Sequence, residues 1–138
     1  MRFYTHYLKD RMTPTEIMDA KPHLKDIWTD EPHRQYGRPI AFYQQLQEQD
    51  VQGAFEKLNV PTLVIWGEYD WIMAREDSEW IVNAINKHRK GLPTLAVVSR
   101  MNHSQGLYSN PIDAFNETNL NGVAQVDSII LNWLSTQK

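Results

Sequence analysis

The chain has 138 residues and a mass of 16.2 kDa, which suits one domain or part of one. Fourteen basic residues against seventeen acidic ones give a formal net charge of −3, so no basic excess favours nucleic acid as a partner. No apolar stretch approaches the length of a membrane span, and the absence of cysteine excludes disulfides and a cysteine nucleophile.

The first segment, residues 1–59, is predicted to be helical and irregular, and it offers no convincing third strand for the sheet predicted in the second segment. The sequence Thr-Pro-Thr-Glu at residues 13–16 is typical of a helix start. Its first threonine can cap the helix, its proline fits the first turn, and its glutamate completes a capping box. The other predictions in this segment are a short helix at residues 22–28, a loop at 29–39, a helix of about three turns at 39–50 and a helical turn at 51–59.

The second segment, residues 60–138, reads as strand, helix, strand, helix. Residues 62–66 (Thr-Leu-Val-Ile-Trp) and 94–98 (Thr-Leu-Ala-Val-Val) are apolar runs without alternation. Such runs are typical of strands covered on both faces of a parallel sheet. Two strands joined by a helix imply a parallel crossover, so the predicted fold class is α/β.

Two helices in this segment are predicted from apolar residues at helical spacing. The first spans residues 74–91, where Gly91 suits the helix end, and the closing helix spans residues 122–137. Residues 99–121 between the second strand and the closing helix are predicted to be a long loop. The apolar face of the first helix comprises Trp80, Ile81, Ala84 and Ile85, and that of the closing helix comprises Val123, Val126, Ile129, Ile130, Trp133 and Leu134.

An acidic residue and a histidine follow the two predicted strands. Asp70 comes after the first strand and His103 after the second. Catalytic groups in open α/β sheets lie beyond the carboxyl ends of the strands, so we expect both side chains at one edge of the sheet. An aspartate that accepts a hydrogen bond from one ring nitrogen fixes the histidine tautomer, and the other nitrogen can then take a proton. A serine hydroxyl needs such a base to become a nucleophile.

The order of these elements resembles the C-terminal part of an α/β-hydrolase. The resemblance rests on Val-Pro-Thr-Leu-Val-Ile-Trp-Gly-Glu-Tyr-Asp at residues 60–70, then a helix, a strand ending in Met-Asn-His-Ser-Gln-Gly, and an amphipathic helix. It implies that Asp70, in a Gly-x-x-Asp turn, is the acid of a catalytic triad and that His103 is its histidine. It also implies a C-terminal fragment of a hydrolase-like parallel sheet over residues 60–138, preceded by short helices in a cap-like or connecting segment at residues 1–59.

One part of the family pattern is missing. The family's nucleophile elbow is Gly-x-Ser-x-Gly, and no serine here has glycine both two residues before and two residues after it. The resemblance therefore implies a serine-type hydrolase of a small-molecule ester or amide, acting through an acyl-enzyme, whose nucleophile lies outside this chain. The chain alone is expected to be inactive, and no cofactor or metal is expected. The serines considered are Ser78, Ser99, Ser104, Ser109, Ser128 and Ser135.

Several residues near the predicted site have alternative interpretations. Asp70 could cap the following loop, and Glu68 is the alternative acid. His103 could be an ordinary loop histidine, whereas Ser104 is a poor nucleophile because adjacent residues rarely reach attack geometry. Residues 71–73 (Trp-Ile-Met) could line an apolar substrate pocket or pack the loop onto the core. The remaining histidines have no metal-ligand spacing and are expected at the surface: His6, His23, His33 and His88.

A second functional class is a non-catalytic binding or assembly module. A truncated hydrolase exposes strand edges and apolar faces, so self-association or a complementary chain is predicted. Such a module would keep its activity in His103→Ala. Residues 1–20 lack the apolar core of a signal peptide. A soluble protein is expected from the composition and from the lack of a long apolar stretch. The cytoplasm is slightly favoured, but cysteine-free chains also occur elsewhere and the compartment stays open.

Overall fold

The computed structural model describes residues 2–137 and divides the chain into two compact units, Met1–Asp50 and Val51–Lys138. Its helices and small two-stranded sheets fit the predicted α/β class. The first unit contains α1 (Arg2–Leu8), α2 (Pro14–Ala20), a 3₁₀-helix (Pro22–Ile27), the paired strands β1 (Arg34–Gln35) and β2 (Arg38–Pro39), and α3 (Ile40–Leu46).

The core of the first unit is aromatic. It comprises Phe3, Tyr7, Ile17, Leu24 and Trp28. The Trp28 ring stacks on Phe3 and meets the edge of Tyr7, each at a centroid separation of 5.4 Å. The predicted capping box at the start of α2 is confirmed: the Thr13 hydroxyl accepts from the Glu16 amide, and the Glu16 carboxylate accepts from the Thr13 amide.

Two predictions in the first unit are wrong in detail. The predicted loop at residues 29–39 contains the hairpin β1–β2, whose two-residue turn is formed by Tyr36 and Gly37 with positive φ. The predicted three-turn helix ends at Leu46, because the amides of Glu48 and Gln49 bond carbonyls three residues back and tighten the chain into a turn.

The second unit is built on one parallel pair of strands. It contains α4 (Val51–Glu56), β3 (Thr62–Gly67), α5 (Arg75–Asn86), β4 (Pro93–Val98), β5 (Gly106–Leu107), α6 (Pro111–Asn116), β6 (Gly122–Val123) and α7 (Val126–Thr136). The strands β3 and β4 pair in parallel from Thr62↔Pro93 to Gly67↔Val98, which confirms the predicted crossover through α5. α4 belongs to this unit because Phe55 packs edge-on against Trp80 of α5.

The parallel pair is less covered than the sequence predicts. Only Trp66 and Gly67 are buried in β3, and no residue of β4 is buried. Within residues 2–137 each strand pairs only with the other, so each keeps one free edge. Because no residue of β4 is buried, the prediction that both faces of the strands are covered is wrong for this chain.

The remaining differences lie after β4 and at the helix ends. The predicted long loop at residues 99–121 holds α6 and β5, and β5 pairs with β6 (Gly122–Val123), which replaces the predicted start of the closing helix. α7 therefore begins at Val126, and its Trp133 indole donates to the Thr94 hydroxyl of β4 at 3.3 Å. α5 ends at Asn86, before the predicted glycine end.

Candidate functional site

The carboxyl ends of β3 and β4 meet at one edge of the parallel pair. The register places Gly67 beside Val98, so the two loops that follow leave the sheet together. The Glu68 amide then donates to the Val98 carbonyl, and the Tyr69 amide donates to the Met101 carbonyl, both at 2.9 Å. These bonds continue the strand pairing into the loops and fix one loop against the other.

Gly67 lets the two loops approach this closely. A Cβ atom at this position would lie 2.3 Å from the Met101 carbonyl oxygen, which is inside van der Waals contact. The glycine of the predicted Gly-x-x-Asp turn is therefore required by the neighbouring backbone.

The structure brings Asp70 and His103 into direct contact. Asp70 Oδ2 and His103 Nδ1 are 2.9 Å apart. The Asp70 side chain is 9% exposed and that of His103 is 46% exposed. The carboxylate is thus enclosed, whereas the imidazole is open to solvent. With Nδ1 donating to the carboxylate, Nε2 is the ring atom left to accept a proton.

The second carboxylate oxygen of Asp70 holds its own loop. Asp70 Oδ1 accepts from the amides of Ile72 and Met73, both at 2.9 Å. The Trp66 indole donates to the Met73 carbonyl at 2.8 Å. Asp70 therefore caps the loop, as one interpretation of the sequence predicts, and also contacts the histidine. The two roles use different oxygens.

The surroundings of Asp70 lower its pKa. Burial raises the pKa, but hydrogen bonds from the Met73 amide, His103 and the Ile72 amide outweigh it, and the charge of a protonated His103 acts in the same direction. The carboxylate is therefore ionised at neutral pH, the form that accepts a hydrogen bond from Nδ1–H.

This lowered pKa predicts a stability difference that depends on pH. The unfolded chain protonates Asp70 at a higher pH than the folded chain, so ionised Asp70 contributes stability above the ordinary pKa of about 3.9. That contribution is lost as the pH falls through the lowered folded value. We expect the difference in unfolding free energy between wild type and Asp70→Asn, measured in urea, to shrink from neutral pH to about pH 3. A difference that stays constant over this range would contradict the lowered pKa.

The loop that carries His103 is anchored by the residue before it. Asn102 is 1% exposed, and its Oδ1 accepts from the Gly106 amide at 2.9 Å. The backbone amide of Asn102 donates to the Gly106 carbonyl, also at 2.9 Å. Nothing in the sequence singles out Asn102, because an asparagine in an Asn- and Ser-rich stretch carries no signal of burial.

The alternative acid does not contact the histidine. Glu68 Oε2 accepts from the Ser99 hydroxyl at 2.6 Å and from the Arg100 amide at 2.8 Å. The hydrogen bond from the Ser99 hydroxyl lowers the pKa of Glu68 most, and the bond from the Arg100 amide lowers it further. Its hydrogen bonds thus hold the turn after β4.

No serine in the described residues 2–137 hydrogen-bonds His103. Ser104 donates instead to Glu117 at 2.7 Å. Ser78 is 3% exposed and lines a cavity of about 260 Å³ that also includes Asp70 and His103 in its wall. A nucleophile and its base must lie within hydrogen-bond reach, so no serine here is placed to be activated.

The apolar residues after the acid are exposed. Trp71 and Ile72 are more than half exposed, so they do not pack the loop onto the core. Trp71 instead meets the edge of Phe115 in α6 at 4.9 Å. Met73 is the one of the three that lines the cavity.

Three further findings concern the chain as a whole. Across residues 2–137, no group of His, Cys, Asp and Glu side chains is arranged to hold a metal ion. Every helix in that part of the chain is too short or too polar to cross a bilayer. No protein-family model, curated protein or solved structure matches the chain.

Proposed function

We propose that this chain is the C-terminal part of an α/β-hydrolase-like domain and supplies the acid and the histidine of a serine-hydrolase triad. The observation that carries the proposal is the 2.9 Å contact between Asp70 Oδ2 and His103 Nδ1 at the carboxyl edge of a parallel strand pair. The enclosed carboxylate and the open imidazole support the same assignment.

In the proposed reaction His103 acts first as a general base. Its Nε2 takes the proton of a serine hydroxyl while the serine oxygen attacks the carbonyl carbon of an ester or amide. Asp70 keeps the proton on Nδ1 and stabilises the imidazolium. The imidazolium then protonates the alcohol or amine as its bond to the carbonyl carbon breaks. The acyl-enzyme remains. A water molecule, deprotonated by Nε2, then attacks the acyl carbon, the bond from that carbon to the serine oxygen breaks, and the imidazolium returns the proton to the serine.

The serine in this mechanism comes from outside residues 1–138. It belongs to a longer form of the protein or to a complementary chain, so the chain alone is inactive. The free edges of β3 and β4 support a partner that completes the sheet, since an edge strand pairs readily with another strand.

The same exposed surfaces favour a second candidate, a non-catalytic assembly module. α7 has no buried residue, and its Leu131 and Leu134 are more than half exposed. A helix that presents leucines to solvent is typical of an element that packs against another chain. This function needs the apolar surfaces but not the histidine.

The two candidates differ in their dependence on His103. We expect tagged protein, captured from its source organism with any companion chain, to hydrolyse p-nitrophenyl acetate. His103→Ala should slow this hydrolysis by about 10⁴-fold or more, because it removes the base. His88→Ala is the matched control, since His88 is exposed and its ring lies 3.5 Å from Glu56, not from Asp70. Equal activity of the two variants, or capture of a complex without activity, would favour the assembly module.

A further inference from the structure

The two residues that flank His103 are held by one carboxylate oxygen. Glu117 Oε1 accepts from Asn102 Nδ2 at 3.3 Å and from Ser104 Oγ at 2.7 Å. Glu117 follows the last residue of α6, so the bonds cross from one end of this helix to the histidine loop. The residues before and after the imidazole are thereby tied to a single point.

A glutamate is unexpected at position 117 because the backbone there is left-handed. Its φ is 53° and its ψ is 38°, the left-handed conformation that glycine or asparagine adopts at the end of a helix. Glutamate bears a steric cost in that conformation that glycine avoids. Glycine has no side chain, and that of asparagine is shorter by one methylene. The long acidic side chain thus provides a contact that the usual residues at this position lack.

The helix that carries Glu117 is also fixed to the acid loop. Phe115 of α6 contacts Trp71, which directly follows Asp70. Asn110 caps the start of the helix, since its Oδ1 accepts from the Asp113 amide at 2.9 Å. Asn102 Nδ2 also donates to the Ala114 carbonyl at 3.3 Å. α6 therefore touches both loops that form the Asp70–His103 pair.

We propose that Glu117 is a positioning residue that keeps the His103 loop in the place where Nδ1 donates to Asp70. This inference rests on the proposed function, in which only the Nδ1–H tautomer leaves Nε2 free as the base. Glu117 acts through Asn102 and Ser104 and takes no part in proton transfer.

The test is the tautomer of His103, measured by ¹⁵N NMR of the histidine side chains in the full chain at neutral pH. Wild type should show the Nδ1–H form, with a downfield proton signal protected by Asp70. Glu117→Ala should lose this signal, and the Nε2–H form should appear. Glu117→Gln should keep it, because the amide oxygen can accept both bonds at the position of Oε1.

Controls separate positioning from stability. Glu79→Ala removes another exposed glutamate, one paired with Arg75 on α5, and should leave the His103 tautomer unchanged. The His6 ring, which contacts Asp10 at 2.6 Å, should look the same in every variant. Should Glu117→Ala not fold, Ser104→Ala removes the shorter bond alone and should reduce the Nδ1–H signal.

The outcomes distinguish this inference from the proposed function. A folded Glu117→Ala variant that retains the wild-type signal would overturn the positioning role and leave the Asp70–His103 pair intact. A wild-type chain without the Nδ1–H signal would overturn both proposals. If the His103 tautomer changed in Glu117→Ala but not in Glu79→Ala or Glu117→Gln, the positioning role would be supported, even if the captured protein proved inactive.

Discussion

Replacing Asp70 with asparagine is expected to slow the proposed hydrolysis about 10⁴-fold while preserving the fold. The asparagine oxygen can still accept from the Ile72 and Met73 amides, so the loop keeps its cap. The amide nitrogen, however, would face His103 and donate to Nδ1. The imidazole would then carry its proton on Nε2 and could not act as the base. The measurement is the rate of p-nitrophenyl acetate hydrolysis by the captured protein.

Glu68→Gln is the matched control for this variant. It is the same change of a carboxylate to an amide in the same loop, but Glu68 contacts Ser99 and Arg100 and not the histidine. The rate should stay close to that of wild type. If both variants slowed the reaction equally, the loss would reflect loop disruption rather than the tautomer of His103.

Gly67→Ala is expected to destabilise the second unit by about 3 kcal/mol, near the upper end for overpacking substitutions. The new Cβ would lie 2.3 Å from the Met101 carbonyl oxygen, and this is backbone that cannot rotate away. That oxygen also accepts from the Tyr69 amide, so a shift to relieve the clash would break a bond between the two loops. Urea unfolding of the full chain measures the change, and the Nδ1–H signal of His103 reports whether the pair separates.

Gly122→Ala controls for the effect of replacing any glycine. Beyond the residue itself and its two chain neighbours, no heavy atom would lie within 4 Å of a Cβ at Gly122. The unfolding free energy of Gly122→Ala should therefore stay within about 0.5 kcal/mol of wild type. A Gly67→Ala variant as stable as Gly122→Ala would show that the strand ends tolerate a wider spacing. The close approach at Gly67 would then not be what positions Asp70 against His103.

The elements predicted well from the sequence have strong local signals. Residues 62–66 and 94–98 are uninterrupted apolar runs, and the structure has the strands β3 and β4 there. The Thr13 capping box forms because its residue types and spacing satisfy the first helical amides without help from the rest of the fold. Placing Asp70 near His103 needed only the rule that parallel strands share a carboxyl edge.

The elements that were missed are short or depend on tertiary contacts. The helix α6 has six residues, too few for an apolar period, although Asn110 and Pro111 form a start signal that could have revealed it. β5 and β6 have two residues each and exist only through their pairing. Nothing local indicates that Glu117 bonds both neighbours of His103, because that contact joins a helix end to a distant loop.

The most direct test is to locate the serine that a fluorophosphonate probe labels in the protein isolated from its source organism. The adduct is mapped by tandem mass spectrometry, and His103→Ala serves as the control. We predict a labelled serine in a peptide outside the 138 residues of this chain, and loss of the label in His103→Ala. An adduct on a serine within this chain, such as Ser78 in the cavity wall, would contradict an external nucleophile, and the absence of any adduct would contradict a serine-hydrolase triad.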